Sequence, residues 1–255
     1  MTFSTKRILM NNLNISFNIM TCLSFKDRYN LCLTSKSLFE TLFKKYQHNE
    51  IIEIKFEDYR LCDIWHNVKF KIYLKNSKIK DLSMLKNVHT LNLKYSNIED
   101  VSVLRKVHTL DLSWCVNVKD VSMLGNLHTL CLFHCFKVTD VSMLGNLHTL
   151  DLCCCANITD VSMLGNVHTL DLNNCQKVFD VSMLGKVHTL NLFSCRNITD
   201  VSMLGNVNTL NLSNCPKITD VSMLGNVTNL NLSWCYNISK NQLKKLIKTV
   251  KNLKI

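Results

Sequence analysis

The stretch VHTLDLSWCVNVKDVSMLGN, residues 107–126, recurs along the chain with little change. Its second half, DVSMLG, begins every twenty residues from Asp120 to Asp220, and the variants DVSVLR and DLSMLK begin at Asp100 and Asp81. Its first half follows the pattern V/L-H-T-L-x-L-x-x-C-x-x-V/I. Repetition at this period predicts a protein in which each unit is one turn of a solenoid.

Each unit carries the signals of a strand followed by a short helical turn. The L-x-L alternation predicts a half-buried strand with Leu110 and Leu112 facing inward and the residues beside them facing outward. Asp120 is a good cap for a helical turn, and Gly125 is expected to allow a tight reversal towards the next strand. One unit cannot bury its apolar side alone, so we expect the strands to stack at about 4.8 Å. Nine strands are predicted, centred near residues 73, 92, 111, 131, 151, 171, 191, 211 and 231, with a tenth around Ile52, Ile54 and Phe56.

The pattern L-x-x-L-x-L-x-x-C-x-x-I over residues 69–238 resembles the leucine-rich-repeat family. The resemblance implies an α/β fold, a solenoid of short 20-residue repeats with a parallel sheet on its concave face. We expect residues 51–68 to form an irregular cap or linker before it. After it, residues 239–255 have apolar side chains at helical spacing behind Ser239, which predicts a basic C-terminal capping helix.

The thirteen cysteines include seven at one repeat position, where a small thiol is expected to be a core residue. Cys153 and Cys154 instead fall on variable outward positions, where they could form a soft-metal cluster with Cys131 and His134. No CxxC pair or HExxH motif supports such a cluster, so we expect no metal and no cofactor. The odd number of cysteines, without a recognisable secretory signal, favours a reducing cytoplasm over disulfides. The seven repeat cysteines are Cys115, Cys135, Cys155, Cys175, Cys195, Cys215 and Cys235.

A histidine ladder occupies another repeat position. Repulsion between neighbouring imidazoles should favour their neutral forms, and each ring is expected to hydrogen-bond where its strand begins. A metal ladder or a pH sensor is the alternative. The histidines are His89, His108, His128, His148, His168 and His188.

The positions that vary from repeat to repeat predict a partner-binding surface on the concave face. Exposed aromatic side chains there suit the anchors of a protein interface. The alternative is neutral drift after recent duplication of the repeats. The predicted contact residues are Ser113, Trp114, Phe133, His134, Cys153, Cys154, Asn173, Asn174, Phe193, Ser194, Ser233 and Trp234.

Residues 1–50 lack the repeat and are predicted to form a small helical module. The segment from Asn14 to Phe43 resembles an F-box, whose pattern I-x-x-x-L-x-x-x-D, a leucine four residues on and T/V-S/C-K/R is in register here. The usual opening Leu-Pro-x-Glu is replaced by asparagines at three of its positions. A plain cap for the solenoid is the alternative. The resemblance implies adaptor contacts by Ile15, Ile19, Leu23, Asp27, Leu31, Ser35 and Lys36.

An F-box before leucine-rich repeats implies a substrate receptor of a cullin-based ubiquitin ligase, which binds an adaptor subunit and an unknown protein substrate and performs no chemistry itself. The alternative is a leucine-rich-repeat interaction scaffold without a ligase. The near-identical repeats also resemble repeat-family proteins of giant amoeba-infecting DNA viruses, which implies action in the host cytoplasm.

Other function classes have little support in the sequence. The net charge of +11 is concentrated at the two ends, with +4 in residues 1–50 and +6 in residues 239–255. A continuous nucleic-acid surface is therefore not expected. We also expect no membrane span and no enzymatic activity, because no apolar run reaches about 18 residues and no catalytic motif occurs.

Overall fold

A computed structural model of the chain describes residues 52–55, 70–74, 82–86 and 88–255. The helical module expected over residues 1–50 lies outside the described residues, as does most of the segment expected as a cap over residues 51–68. The seven residues that the F-box resemblance implies as adaptor contacts are therefore not described. They are Ile15, Ile19, Leu23, Asp27, Leu31, Ser35 and Lys36.

The described strands form one sheet in which they follow one another in chain order. From β2 to β11 each strand pairs in parallel with the next, and equivalent repeat positions lie side by side, such as Leu110 beside Leu130. All ten strands expected from the sequence are present. They are β1 (Ile52–Lys55), β2 (Phe70–Tyr73), β3 (Thr90–Asn92), β4 (Thr109–Asp111), β5 (Thr129–Cys131), β6 (Thr149–Asp151), β7 (Thr169–Asp171), β8 (Thr189–Asn191), β9 (Thr209–Asn211) and β10 (Asn229–Asn231), and an eleventh, β11, is Asn252–Lys254.

A short 3-10 helix follows each strand from β2 to β9 and returns the chain to the start of the next repeat. Each repeat, a strand with the return segment after it, is here called a rung. Before seven of these helices an aspartate accepts a hydrogen bond from the backbone N–H two residues on, as Asp120 does from Ser122 at 2.9 Å. This hydrogen bond lowers the pKa of the Asp120 carboxyl group. The aspartates thus hold the start of these seven helices, as predicted, although the N-cap position itself is the residue after the aspartate, such as Val121. The helices are Ser83–Leu85, Ser102–Leu104, Ser122–Leu124, Ser142–Leu144, Ser162–Leu164, Ser182–Leu184, Ser202–Leu204 and Ser222–Asn226.

The core is a stack of identical apolar layers between the sheet and the 3-10 helices. The strand leucines Leu110 and Leu112 are fully buried, as are Val118 and Leu124 from the return half of the same rung. Burying side chains of this size stabilises a fold by about 1.5–3 kcal/mol each. Because each layer is completed only by its neighbours, the rungs are stable together and not singly. This is the architecture of a leucine-rich-repeat solenoid, as predicted.

The C-terminal cap differs from the expected helix over residues 239–255. An α-helix, α1 (Lys240–Thr249), begins as predicted, since Ser239 accepts a hydrogen bond from the backbone N–H of Gln242 at 3.3 Å. It ends at Thr249, Val250 has extended backbone, and β11 then pairs with β10. The unpaired backbone groups at the edge of β10 explain this change, because an added strand satisfies them. None of the helices in the described part of the chain is long and apolar enough to cross a membrane.

The repeat glycines are needed for a reason other than the expected one. Gly125 and Gly145 have ordinary right-handed helical backbone, with φ of −65° at both, so a tight reversal does not require glycine there. A Cβ atom on Gly145 would instead collide with the backbone carbonyl oxygen of Met163 in the next rung. The glycine therefore sets how closely two rungs can approach. At Gly225, after which no 3-10 helix stacks, a Cβ would meet only the Thr249 side chain, at 3.3 Å from its Oγ1.

We therefore predict that Gly145→Ala destabilises the solenoid and that Gly225→Ala does not. Overpacking against backbone costs about 1–3 kcal/mol, and we expect the lower half of that range because Arg105 shows that an equivalent position accepts a side chain. Urea unfolding midpoints of the two variants and the wild-type chain measure the difference. Equal midpoints for both variants would show that the carbonyl collision does not limit the stacking.

Candidate interaction surface

A ladder of buried cysteines follows the strands from β4 to β10 and joins each rung to the one before it. Cys175 Sγ donates a hydrogen bond to the backbone oxygen of Leu152 at 3.1 Å, and the other six repeat cysteines make the equivalent bond at 3.0–3.2 Å. Burial raises the pKa of the Cys115 thiol to about 11, which keeps it a neutral donor. All ten cysteines in the described residues are free, and the predicted core role of the repeat cysteines is confirmed.

The first ladder position that the structure describes is a serine, which the sequence pattern does not reveal. Ser96 occupies the cysteine position one rung before Cys115 and donates from Oγ to the backbone oxygen of Leu74 at 3.1 Å. Ser96 is as buried as the cysteines. The position therefore requires a small buried donor, and sulfur is not essential to it.

We predict that Cys175→Ser is tolerated better than Cys175→Ala. Serine retains a donor to the Leu152 carbonyl group, whereas alanine removes both the hydrogen bond and a buried atom, which together cost about 1–3 kcal/mol. The free energies of unfolding of the two variants test this order. If alanine is the more stable variant, the thiol acts only by filling space.

The residue just before each ladder position has left-handed backbone, which the repeat pattern does not predict. Trp114 has a φ of 62°, and its backbone N–H donates to the Phe133 oxygen of the next rung at 2.8 Å. This conformation turns the following cysteine into the core while the backbone still pairs with the next rung. Asparagine tolerates it best among non-glycine residues. The eight residues are Tyr95, Trp114, His134, Cys154, Asn174, Ser194, Asn214 and Trp234.

We call the surface formed by the outward residues of the strands and the two residues just before each ladder position the sheet face. Of the twelve predicted contact residues, four are buried in the structure: Ser113, Cys153, Ser194 and Ser233. Their side chains are small, and larger neighbours cover them or bond to them, as the Asn214 amide does to Ser194 Oγ at 3.1 Å. The others are half-buried or exposed. They are Trp114, Phe133, His134, Cys154, Asn173, Asn174, Phe193 and Trp234.

Aromatic rings meet in two patches on the sheet face. In the first patch, formed by Tyr95, Trp114, Phe133 and His134, the Trp114 ring stacks on His134 at 3.9 Å and on Tyr95 at 5.8 Å between ring centroids. Phe133 packs edge-on against Trp114 at 5.9 Å. In the second patch, Phe193 lies edge-on to Trp234 at 6.4 Å, and Trp234 is 55% exposed.

Tyr95 was absent from the predicted contact residues although it is 47% exposed and belongs to the first patch. Its repeat lacks the ladder cysteine, which hid the equivalence of Tyr95 and Trp114. Counting back nineteen residues, as the Asp81-to-Asp100 step requires, would have placed Tyr95 at the position of Trp114.

Polar and acidic groups occupy the sheet face between the aromatic patches. Lys94 forms an ion pair with Asp111 at 3.1 Å, and its pKa is raised chiefly by that hydrogen bond. Further along, Asp151 accepts a hydrogen bond from Cys131 Sγ at 3.1 Å. Burial raises the pKa of the Asp171 carboxyl group.

The soft-metal cluster considered for Cys131, His134, Cys153 and Cys154 does not form as a unit. The His134 ring stacks on Trp114, and the Cys131 thiol donates to Asp151. Cys153 and Cys154 do meet, with 3.5 Å between their sulfur atoms. Burial is the main reason that the pKa of the Cys153 thiol is raised.

The histidine ladder forms a continuous ring stack at the start of the strands. Successive rings from His89 to His188 are 4.5–4.6 Å apart between centroids and within 13° of parallel. Nδ1 of His168 lies 3.2 Å from the Thr169 hydroxyl, the local hydrogen bond that was expected. The pKa of His168 is lowered, first by burial and then by the charges of His148 and His188.

We predict that acid weakens the fold through this stack. The pKa of His168 is lower in the folded chain than the value of about 6.5 in the unfolded chain. The unfolded chain therefore binds more protons, so the contribution of His168 is fully present above pH 6.5 and is lost as the pH falls below that value through the lower pKa of the folded chain. The aspartates that precede the 3-10 helices titrate at lower pH, because their pKa values are lowered.

Melting temperatures at pH 7.5 and pH 5.5 measure this effect. His168→Asn should reduce the acid-induced loss, and asparagine is suitable because Asn208 occupies the equivalent position two rungs later. Asn208→His, which lengthens the stack by one ring, should increase the loss. The same pH dependence in both variants would contradict the prediction.

No model of a protein family matches the chain, and no curated protein is similar to it in sequence. Solved structures of repeat proteins are similar in architecture. Internalin InlF of Listeria monocytogenes is 19% identical, with a TM-score of 0.44 over 76% of this chain and 82% of that one. Internalin C2 of the same bacterium is 28% identical, with a TM-score of 0.49 over 62% and 76%. The leucine-rich-repeat domain of the type III effector XopL is 16% identical, with a TM-score of 0.43 over 86% and 82%.

These TM-scores are all below 0.5, so the fold assignment rests on the chain itself. The chain is a leucine-rich-repeat solenoid. Its own parallel sheet, its rung spacing of twenty residues from Asp100 onward and its buried cysteine ladder carry that conclusion.

Proposed function

We propose that this protein is a non-enzymatic binding scaffold that holds a protein partner on its sheet face. The observation that carries the proposal is the first aromatic patch, formed by Tyr95, Trp114, Phe133 and His134. Half-exposed aromatic side chains, already fixed by stacking, lose little freedom on binding and are typical anchors of protein interfaces. Trp114 is the centre of this patch, since three other rings contact it.

The second patch fits the same proposal. Trp114 and Trp234 lie six rungs apart, which corresponds to about 29 Å at the usual strand spacing of about 4.8 Å. A contact that includes both patches has the dimensions of a standard interface, which buries about 800 Å² on each partner. The polar groups between them, such as the Lys94–Asp111 pair, would supply hydrogen bonds that select the partner.

The finer proposal is that the scaffold is the substrate receptor of a cullin-based ubiquitin ligase in the cytoplasm. Its support is the F-box-like register of Ile19, Leu23, Asp27 and Leu31 in the sequence, ahead of the repeats. In this role residues 1–50 bind the ligase adaptor subunit, and the sheet face holds the substrate. The protein then contributes proximity and orientation, while the ligase provides the chemistry. If the resemblance to giant-virus repeat proteins is correct, the substrate is a host protein.

One capture experiment with the full chain tests both levels of the proposal. The wild-type chain should bind the purified adaptor subunit at micromolar concentration, and Leu23→Asp/Leu31→Asp should not. Trp114→Asn should still bind the adaptor. The amounts of the proteins that the wild-type chain captures from host lysate should fall at least tenfold in this variant, as measured by quantitative mass spectrometry. Asparagine suits this position because Asn174 and Asn214 have the same left-handed backbone.

The matched control is Phe179→Thr. Phe179 is 65% exposed but lies outside the sheet face, and threonine occupies its position in neighbouring rungs. This variant should bind like the wild-type chain. Absence of adaptor binding by the folded wild-type chain would remove the ligase proposal and leave the scaffold. Equal losses in the Trp114 and Phe179 variants would contradict the sheet-face proposal.

A further inference from the structure

Three possible metal ligands converge on the sheet face between the two aromatic patches. One ligand atom from each of Asp151, Cys153 and Asp171 lies within 4.8 Å of the other two. The two carboxylates come from neighbouring rungs, and the thiol comes from the end of the first of them. Neither the proposed partner contacts nor the core packing requires this combination.

The fold itself brings the two carboxylates together. Asp151 ends β6 and Asp171 ends β7, and the two residues are paired in the sheet. One oxygen of each accepts the backbone N–H two residues on, from Cys153 at 2.8 Å and from Asn173 at 2.7 Å. These bonds fix both carboxylates at the ends of their strands before any ligand arrives. Partial pre-organisation of this kind favours metal binding, because less freedom is lost when the ligands close around an ion.

The rung at Asp151 differs from other rungs in the hydrogen bonding of the side chain two residues later, that of Cys153. Ser113 and Ser213 occupy the position of Cys153 in other rungs, and each hydroxyl donates to the side chain two residues before it, at 2.5 and 2.6 Å. The Cys153 thiol makes no such bond to Asp151 in the described structure and lies against the Cys154 sulfur at 3.5 Å. The Cys153 sulfur is therefore not occupied by a bond to the carboxylate beside it.

The negative charge of Asp151 and Asp171 is also unusual for the repeat position that ends each strand. Asp111, at the equivalent position, is paired with Lys94 and is followed by Cys131, and after Asp171 the position is asparagine. Among the described residues, Asp151 and Asp171 are the two carboxylates that succeed one another at this position, and neither has an ion pair. A divalent cation would neutralise both.

We propose that Asp151, Cys153 and Asp171 bind a zinc ion on the sheet face. The donor set of two carboxylate oxygens and one thiolate matches zinc, which takes oxygen at about 2.0–2.2 Å and sulfur at about 2.3 Å. The hard ions magnesium and calcium do not take sulfur ligands. Tetrahedral zinc needs ligand atoms about 3.3–3.8 Å apart, so the side chains must close by about 1 Å. Three protein ligands leave the fourth position to water or to a partner's side chain.

The test uses the full chain, reduced and freed of metal, and titrated with Co²⁺ as a spectroscopic substitute for Zn²⁺. The expected signal is a sulfur-to-cobalt charge-transfer band that Zn²⁺ removes by competition. Cys153→Ser should lose this signal, and Asp171→Asn should weaken binding about tenfold or more. Serine at residue 153 should not disturb the fold, because Ser113, Ser213 and Ser233 occupy the same position in other rungs.

Cys131→Ser is the matched control. Cys131 lies on the same face, one rung away, and is not one of the three proposed ligands. A serine in its place can still donate a hydrogen bond to Asp151, as the Cys131 thiol does. This control also accounts for cobalt bound by cysteines elsewhere in the chain, since only the signal lost in Cys153→Ser and kept in Cys131→Ser counts. Zn²⁺ should raise the melting temperature of the wild-type and Cys131→Ser chains but not of Cys153→Ser.

The proposal is independent of adaptor or substrate binding, because it is read out by absorbance and melting of the chain alone. Retention of the full cobalt signal in Cys153→Ser would overturn it. So would equal Zn²⁺ affinity of the wild-type and Asp171→Asn chains.

Discussion

The structure depends on one backbone carbonyl group in each rung. This group belongs to the second leucine of the L-x-L pattern. At Leu152 this oxygen accepts the backbone N–H of Cys155 at 3.0 Å and the thiol of Cys175 from the next rung at 3.1 Å. A carbonyl oxygen can accept two hydrogen bonds, and the backbone N–H supplies only one of them. The thiol ladder supplies the second in rung after rung, from a side chain small enough to fit between two leucine layers. The left-handed backbone of the residue before each cysteine directs that thiol into the core.

Stacking at a constant spacing makes every rung position a ladder of identical side chains, so like groups must tolerate one another. The imidazoles do so as a stack in which protonation is disfavoured at His168. At the residue just before the final valine or isoleucine of the repeat pattern, lysines alternate with asparagines from rung to rung. Lys177 donates a hydrogen bond to Asn157 of the previous rung at 2.8 Å. Alternation separates the ammonium groups by two rungs, about 10 Å, at which distance salt screens them. Asp151 and Asp171 carry like charges on successive rungs, as the aspartates before the 3-10 helices also do, but they do so on the sheet face.

The sheet face is consequently divided into zones by its own rungs. Aromatic anchors lie towards both ends, and small buried polar residues and carboxylates lie between them. A partner would meet rigid apolar groups first and a polar strip in the middle, an arrangement that suits recognition more than catalysis. The lysine-rich α1 lies at the last rung, away from this strip, since it packs beside the 3-10 helix Ser222–Asn226.

The sequence by itself determined the period, the ten strands, the capping aspartates and the inward cysteines, because each is a local pattern repeated until it is unmistakable. It did not determine which outward residues are accessible: Ser113 and Trp114 are both variable positions after the L-x-L pattern and were both predicted to face outward, yet only the indole is left half-exposed. That outcome depends on the size of the side chains one rung away. The role of Gly145 and the eleventh strand also required the tertiary structure. The collision at Gly145 is with the next rung, and β11 forms because β10 would otherwise leave its edge unpaired.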